Sequence, residues 1–398
     1  MDLNKYLEIG NGLSETIFSA ALQNDLRYII KYQKSGGNIE ILDDRNQSLI
    51  HLACRNKSLE ALKVLLYFGL SPNLQDKYNE TPLHIAAFMG NTKFIELLIK
   101  NGANPNIMNS SQQTPLHKAS FKGSVPSIKV LIDNNADIFA VDENCSTVIQ
   151  FAVRSKKIKA VKYLAESGAI INSLDRTKQS TLHYAALYST IDIVNYLIGL
   201  GVNPYSKDQY QSTPMHLSVE HPLIEMTEIF LLFGLSSYDK DKFNQSPYDV
   251  AVQKSKFEAI ELFNKLKNDK KYQSKLKANE LTFAIVRNEF DRAVSLAQIK
   301  DVNEKDIFGN TALFYAIMNN EPYIVETLLK NEASVDNIDL NNEDAIYYAV
   351  LNRNIDIIEL ISEKVTDFNK KFGGYTVLEY ASKMKETKIY DVLKKFAN

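Results

Sequence analysis

Tryptophan is absent from this 398-residue chain, and cysteine occurs only twice. Two thiols, Cys54 and Cys145, cannot staple a chain of this length, so a disulfide framework is excluded and a reducing compartment is expected. Long apolar runs are missing as well. VLLYF (64–68) and IFLLF (229–233) fall far short of the roughly 20 residues that a membrane-spanning helix needs. The opening residues, MDLNKYLEIGNG, have neither a basic start nor an apolar core, so no signal peptide is expected. Nor is there an excess of one charge. Against 46 Lys and Arg stand 48 Asp and Glu, and a net charge of -2 sets up no global field to recruit nucleic acid or an anionic membrane. What remains is the composition of a soluble folded protein, 45% hydrophobic and 24% charged, rich in Asn, Lys and Ile in the manner of an AT-rich coding sequence.

The strongest positive signal is self-similarity at a fixed period, which decides the architecture. TPLHIAAF begins at Thr81, and TPLHKASF begins 33 residues later at Thr114. The same step reaches TVIQFAV at Thr147, STLHYAA at Ser180, TPMHLSV at Thr213 and SPYDVAV at Ser246. Backwards it reaches SLIHLAC at Ser48 and ETIFSAA at Glu15. Forwards it reaches Asn279, and with two one-residue contractions Thr311, Asp344 and Thr376. These twelve anchors define twelve repeats.

Each column has a physical meaning. Five residues after the anchor stands Ala in eleven repeats and Ser218 in the other, which marks a close approach of helices. Seventeen after it stands an apolar residue, among them Leu65, Leu98, Leu131, Leu164, Leu197, Leu296, Leu328 and Leu393, which should fill the core between neighbouring repeats. The Thr or Ser anchor is a good helix N-cap, and Pro82, Pro115, Pro214 and Pro247 take the first helical position that suits proline. Gly69, Gly102, Gly168, Gly201 and Gly234 recur where a second helix must stop in a left-handed conformation, with Asn135 in that slot once. Each unit therefore reads as two short helices.

The Thr-Pro-Leu-His start, the small-residue column and the closing GANPN (102–106) together resemble the ankyrin repeat. The resemblance implies an all-α solenoid of helix-turn-helix units with short β-hairpin fingers. It also implies a non-enzymatic scaffold that holds a protein partner on its concave face and fingers. The expected organisation is repeats 1–8 over 1–264, a lysine-rich irregular junction over 265–278, and repeats 9–12 with a C-terminal cap over 279–398. The anchor spacing across the junction stays at 33, so one continuous, elongated stack is expected. Partners are one or more proteins, with no nucleic acid, no membrane insertion and a monomeric chain. The expected setting is cytoplasmic, the cytosol of a host cell included. A host-directed effector using the same surface, and an enzyme with a cryptic site on the array, are the alternatives.

Catalytic motifs do not emerge. His51, His84, His117, His183 and His216 occupy one column. Equivalent residues of stacked helices sit roughly 8–10 Å apart, whereas the ligands of one zinc ion lie within about 2.3 Å of it. The column is therefore expected to hydrogen-bond the hairpin turns, with no metal and no cofactor. His221-Pro222 begins like the core of Fic-type transferases but continues LIEMTE, without a glycine-rich phosphate loop. The junction segment KLKNDKKYQSKLK carries six lysines and one acid, and reads as the solvated face of an extended helix with Leu266 and Leu276 turned inward.

Candidate contact residues sit in slots that the repeat leaves free. Three before the anchor stand Tyr78, Tyr210, Phe243 and Phe308, on the fingers. Seven and eight after it stand Phe88, Met89, Phe121, Leu187 and Tyr188. Aromatic residues and methionine in solvent-facing slots are characteristic of interface hot spots. The competing role for each ring is to lie on its neighbouring finger and help stacking.

Overall fold

The computed structural model describes residues 16–306, 309–339, 342–372, 374–384 and 386–397. The first helices of the repeats are α1 (Ile17–Gln23), α3 (Leu49–Arg55), α5 (Pro82–Met89), α7 (Pro115–Lys122), α9 (Val148–Arg154), α11 (Thr181–Tyr188), α13 (Pro214–Ser218) and α15 (Pro247–Gln253). Their second helices are α2 (Leu26–Lys34), α4 (Leu59–Tyr67), α6 (Thr92–Lys100), α8 (Val125–Asp133), α10 (Ile158–Glu166), α12 (Ile191–Gly199), α14 (Glu225–Leu232) and α16 (Phe257–Lys267). An additional helix, α17 (Lys270–Ala278), precedes the last four pairs. These are α18 (Glu280–Val286) with α19 (Phe290–Ala297), α20 (Ala312–Met318) with α21 (Pro322–Lys330), α22 (Ala345–Asn352) with α23 (Ile355–Ser362), and α24 (Val377–Lys383) with α25 (Thr387–Phe396). The only β pairing among the described residues is a set of isolated bridges such as Leu42 with Ser48.

The anchors do what their chemistry suggests. From Ser48 to Ser246 each caps a first helix in an extended conformation, with the residue three further on returning a hydrogen bond to the cap. In the first repeat Thr16 is the cap, one residue past the anchor Glu15, which lies outside the described residues. The whole small-residue column is buried, as is the leucine column seventeen residues after the anchor. Gly102 and Gly168 take φ of 89° and 92° at the ends of second helices, a region in which a side chain is strained.

A further column organises the fingers. Asp76 accepts the backbone N–H groups of Tyr78 (2.8 Å) and Glu80 (3.0 Å), and Asn79 between them turns left-handed with φ of 57°. Asp142, Asp175, Asp208 and Asp241 repeat this arrangement. Successive fingers are then linked by single backbone bonds, Ser110 N–H to the Tyr78 carbonyl (2.9 Å) and Lys242 N–H to the Tyr210 carbonyl (2.7 Å).

The chain forms two compact units, Met1–Ala165 and Glu166–Asn398. In the first, α1, α3, α5, α7 and α9 stack side by side. The second departs from the single continuous stack expected from the anchor spacing. Helix α16 lacks a glycine stop and runs on for 11 residues, and α17 turns away from it. Tyr272 of α17 is buried and donates its hydroxyl to the Leu231 carbonyl (2.6 Å). Within this unit the last four repeats lie back against the segment from Glu166 to the end of repeat 7, in reverse order. Asn203 donates to the Val286 carbonyl (2.9 Å), and the Arg287 guanidinium stands 4.4 Å over the Tyr205 ring. Phe233 packs against Phe283 (5.4 Å) and Tyr315 (5.7 Å). Tyr380 donates to the Glu166 carbonyl (3.1 Å). Regular spacing along the sequence sets the length of each repeat but not the direction of the next one.

Candidate functional site

Two features of the free slots can be separated by geometry: rings that support the stack and rings that face solvent. On the fingers of the second unit, Tyr210 and Phe243 lie 5.7 Å apart and tilted, each leaning on the other as a stacking aid would. Tyr78 in the first unit is exposed, with the Lys77 ammonium 4.9 Å from its ring. Phe308 lies outside the described residues.

The first-helix slots differ. Phe88, at the C-terminal turn of α5, and Phe121, in the same position on α7, are 50% and 44% exposed. Their rings are nearly parallel, 9° apart with centroids 6.4 Å from each other. Met89 beside them is half-buried. The core of these repeats is complete without them, because Ala86, Leu83, Ala119 and Leu116 fill it. In the second unit Tyr188 is exposed and Leu187 half-buried. The structure thus brings Phe88 and Phe121 into one patch, and it places Tyr210 with Phe243 in a separate finger pair.

Basic neighbours of this patch were not singled out from the sequence, although the same column shows them. Seven residues after the anchor, repeats 2 to 5 read Arg55, Phe88, Phe121 and Arg154. Arg55 is exposed and Arg154 half-buried, its guanidinium 5.7 Å from the Phe151 ring. Lys122 follows Phe121 on α7 and is exposed. Lys118, one turn earlier, is held by Glu80 at 2.6 Å.

Each histidine of the column accepts its own cap's N–H at Nδ1, and three of the five also tie to the next finger. His84 accepts the Thr81 N–H at Nδ1 (3.1 Å) and donates from Nε2 to the Gln113 carbonyl of the next finger (2.9 Å). His51 and His183 repeat this with the Glu80 and Ser212 carbonyls, both at 3.0 Å. Burial disfavours the imidazolium and pulls His84 and His117 down to about 4, with His51, His183 and His216 also lowered. In repeats 10 and 11 a tyrosine one position further on ties the helix to its own finger, as Tyr184 does in repeat 6 through Asp175 (2.7 Å). Tyr315 donates to Asp306 and Tyr348 to Asp339, both at 2.7 Å. His221 accepts the Leu223 N–H (3.1 Å) and bonds the Ser189 carbonyl (3.1 Å), so both of its ring nitrogens hold backbone. Burial pushes the Cys54 thiol up, away from reactivity. Among the described residues no helix is long and apolar enough to cross a membrane.

The profile described as ankyrin repeats (3 copies) matches residues 17–109, 50–142, 101–175, 182–275 and 278–372. Many solved structures match. One of them, the crystal structure of the human ASB11 ankyrin repeat domain, is 23% identical, with a TM-score of 0.51 over 56% of this chain and 99% of that one, a likeness of fold. No curated protein matches the chain. Ankyrin repeats are in general protein–protein interaction modules of a non-enzymatic kind. The capped helix pairs, the finger bonds and the profile matches along most of the sequence agree, and the chain belongs to the ankyrin-repeat family.

Proposed function

We propose that the chain holds a protein partner on the concave face of its first helices and on its fingers, and performs no reaction of its own. The observation that carries this reading is the parallel, solvent-facing pair Phe88 and Phe121 on helices whose packing does not need them. Two exposed rings in register present a flat apolar surface of the type from which hot spots are built. Met89 and Tyr78 extend the candidate surface within the first unit, and Leu187, Tyr188, Tyr210 and Phe243 are separate candidate contacts in the second. The same column supports the reading within the chain itself. Its residues in repeats 9 and 10, Val286 through its backbone carbonyl and Met318 through its side chain, meet Asn203 and Gly201 of repeat 6, so this end of the first helix already makes a contact between repeats that are not neighbours in sequence. No observation favours the host-directed effector or the cryptic enzyme over this scaffold.

The experiment is affinity capture from the native lysate with wild-type chain and with Phe88→Ala and Phe121→Ala, the captured proteins being identified by mass spectrometry. At least one substitution should weaken capture of a partner by about 2 kcal/mol or more. Neither should move the melting temperature appreciably. Unchanged capture of every partner, or unfolding of the variants, overturns the reading.

A further inference from the structure

The apolar pair does not stand alone. The last turn of the first helix, with the loop that leads into the second, spans residues 53–59, 86–92, 119–125 and 152–158 in repeats 2 to 5. These segments contain Arg55, Lys57, Lys122, Arg154, Lys156 and Lys157 and not one carboxylate, in a chain whose acids outnumber its bases. Five of these six cations are exposed and Arg154 is half-buried. The glycines of the two middle turns let the lysines close in. A methyl group on Gly90 would stand 3.2 Å from the Lys122 side chain, and one on Gly123 would stand 2.6 Å from that of Lys157. The lysine stems therefore lie over the turns that follow Phe88 and Phe121. Cations at helix C-termini also complement the helix dipole, which accounts for some of these residues. The dipole gives no reason for two exposed phenylalanines between them.

We infer that this ladder, Arg55–Phe88–Phe121–Arg154 with Lys122 and Lys157 at its edge, is a docking surface for an extended acidic protein segment with apolar anchors at its centre. The inference rests on the reading of the first-helix face as the partner surface and adds the chemistry of the partner. Neighbouring repeats are roughly 10 Å apart, and an extended chain in the polyproline II form advances about 3.1 Å per residue and presents the same face every three residues, so one repeat corresponds to about three residues. The segment then carries two apolar side chains about three residues apart, and carboxylates about three residues outside each. A mixed apolar and charge-complementary contact of this kind selects its partner by sign and is screened by salt.

The test uses the full chain and two labelled synthetic peptides followed by fluorescence anisotropy. Both have two phenylalanines three residues apart; one has Asp-Glu at each end, the other Lys-Arg. The acidic peptide should bind at least tenfold more tightly than the basic one and weaken as salt rises. Arg55→Glu with Lys122→Glu, both exposed, should weaken it at least tenfold and improve the basic peptide, with melting unchanged. Phe88→Ala with Phe121→Ala should also weaken the acidic peptide. Equal binding of the two peptides, no binding of either, or indifference to the charge reversals overturns the inference. So does a single-stranded oligonucleotide that binds more tightly than the acidic peptide. If the native partner is still lost on Phe88→Ala while the charge reversals change nothing, the scaffold reading stands and only the acidic partner fails.

Discussion

Replacing Gly201 by alanine tests whether the last four repeats lie against repeats 6 and 7 in solution. Gly201 ends helix α12 with φ of 75°. A methyl group there would meet the Met318 Cβ at 2.2 Å, its Cγ at 2.9 Å and its Cα at 3.5 Å. The first and last of these atoms cannot swing away, so either α20 shifts or the docked block separates. Gly69 and Gly102 have the same role in the first unit, with φ of 88° and 89°, and a methyl group on either meets nothing within 4 Å. All three alanine variants bear the left-handed strain, about 1–2 kcal/mol, offset by about 0.4–1 kcal/mol from the stiffer unfolded chain. Gly201→Ala bears in addition an overpacking cost of about 1–3 kcal/mol. With no tryptophan in the chain, urea unfolding is followed by circular dichroism, and hydrogen exchange reads the amides of α20 directly. Gly69→Ala and Gly102→Ala should lose about 1 kcal/mol or less. Gly201→Ala should lose clearly more and should speed exchange in α20. Equal losses at all three glycines, with exchange in α20 unchanged, would refute the back-folded arrangement.

Stability should depend on pH through the histidine column. Burial lowers the folded-state values, to about 4 for His84 and His117, below the ordinary 6.5, so the unfolded chain binds more protons between those limits. The stabilisation is complete above about pH 6.5 and is lost as pH falls towards 4; urea midpoints at pH 7 and pH 5 measure it. His84→Gln should keep the cap, as Gln150 does by accepting the Thr147 N–H at 2.8 Å, while reducing the pH dependence. Lys270 and Lys271 are exposed on α17, so limited digestion with a lysine-directed protease should cut there early. The nicked fragments should co-elute on gel filtration, held by contacts such as Phe233 with Phe283; separate elution would count against those contacts. Tyr348→Phe removes the buried hydroxyl that bonds Asp339 and should cost about 1–3 kcal/mol in urea unfolding.

Much of this was legible in the sequence because ankyrin architecture is written in short-range terms. A Thr cap, a proline at the first helical position, an alanine where helices touch and a glycine at φ near 90° each solve a problem within a few residues. Twelve repeats, the buried leucine column and the tying role of the histidines follow from that. The candidate face was legible for the same reason: Phe88 and Phe121 occupy slots that no local rule explains. The finger aspartates, such as Asp76, were equally periodic and escaped notice because their partners are backbone N–H groups, which no sequence pattern names. The basic residues flanking the phenylalanines stood in the same column as the rings, and their meaning came only from seeing lysine stems lie over Gly90 and Gly123.

The sequence by itself determined the repeat, its boundaries and its inside and outside, since each depends on residues one or two turns apart. Tertiary structure alone decided where the repeats go after residue 264. The contacts of Asn203 with Val286, Gly201 with Met318 and Tyr380 with Glu166 join residues 83, 117 and 214 positions apart. No periodicity links such positions. They meet because α17 stands between the eighth and ninth repeats, and the apolar faces of Phe233, Phe283 and Tyr315 expose less surface to water packed together than apart.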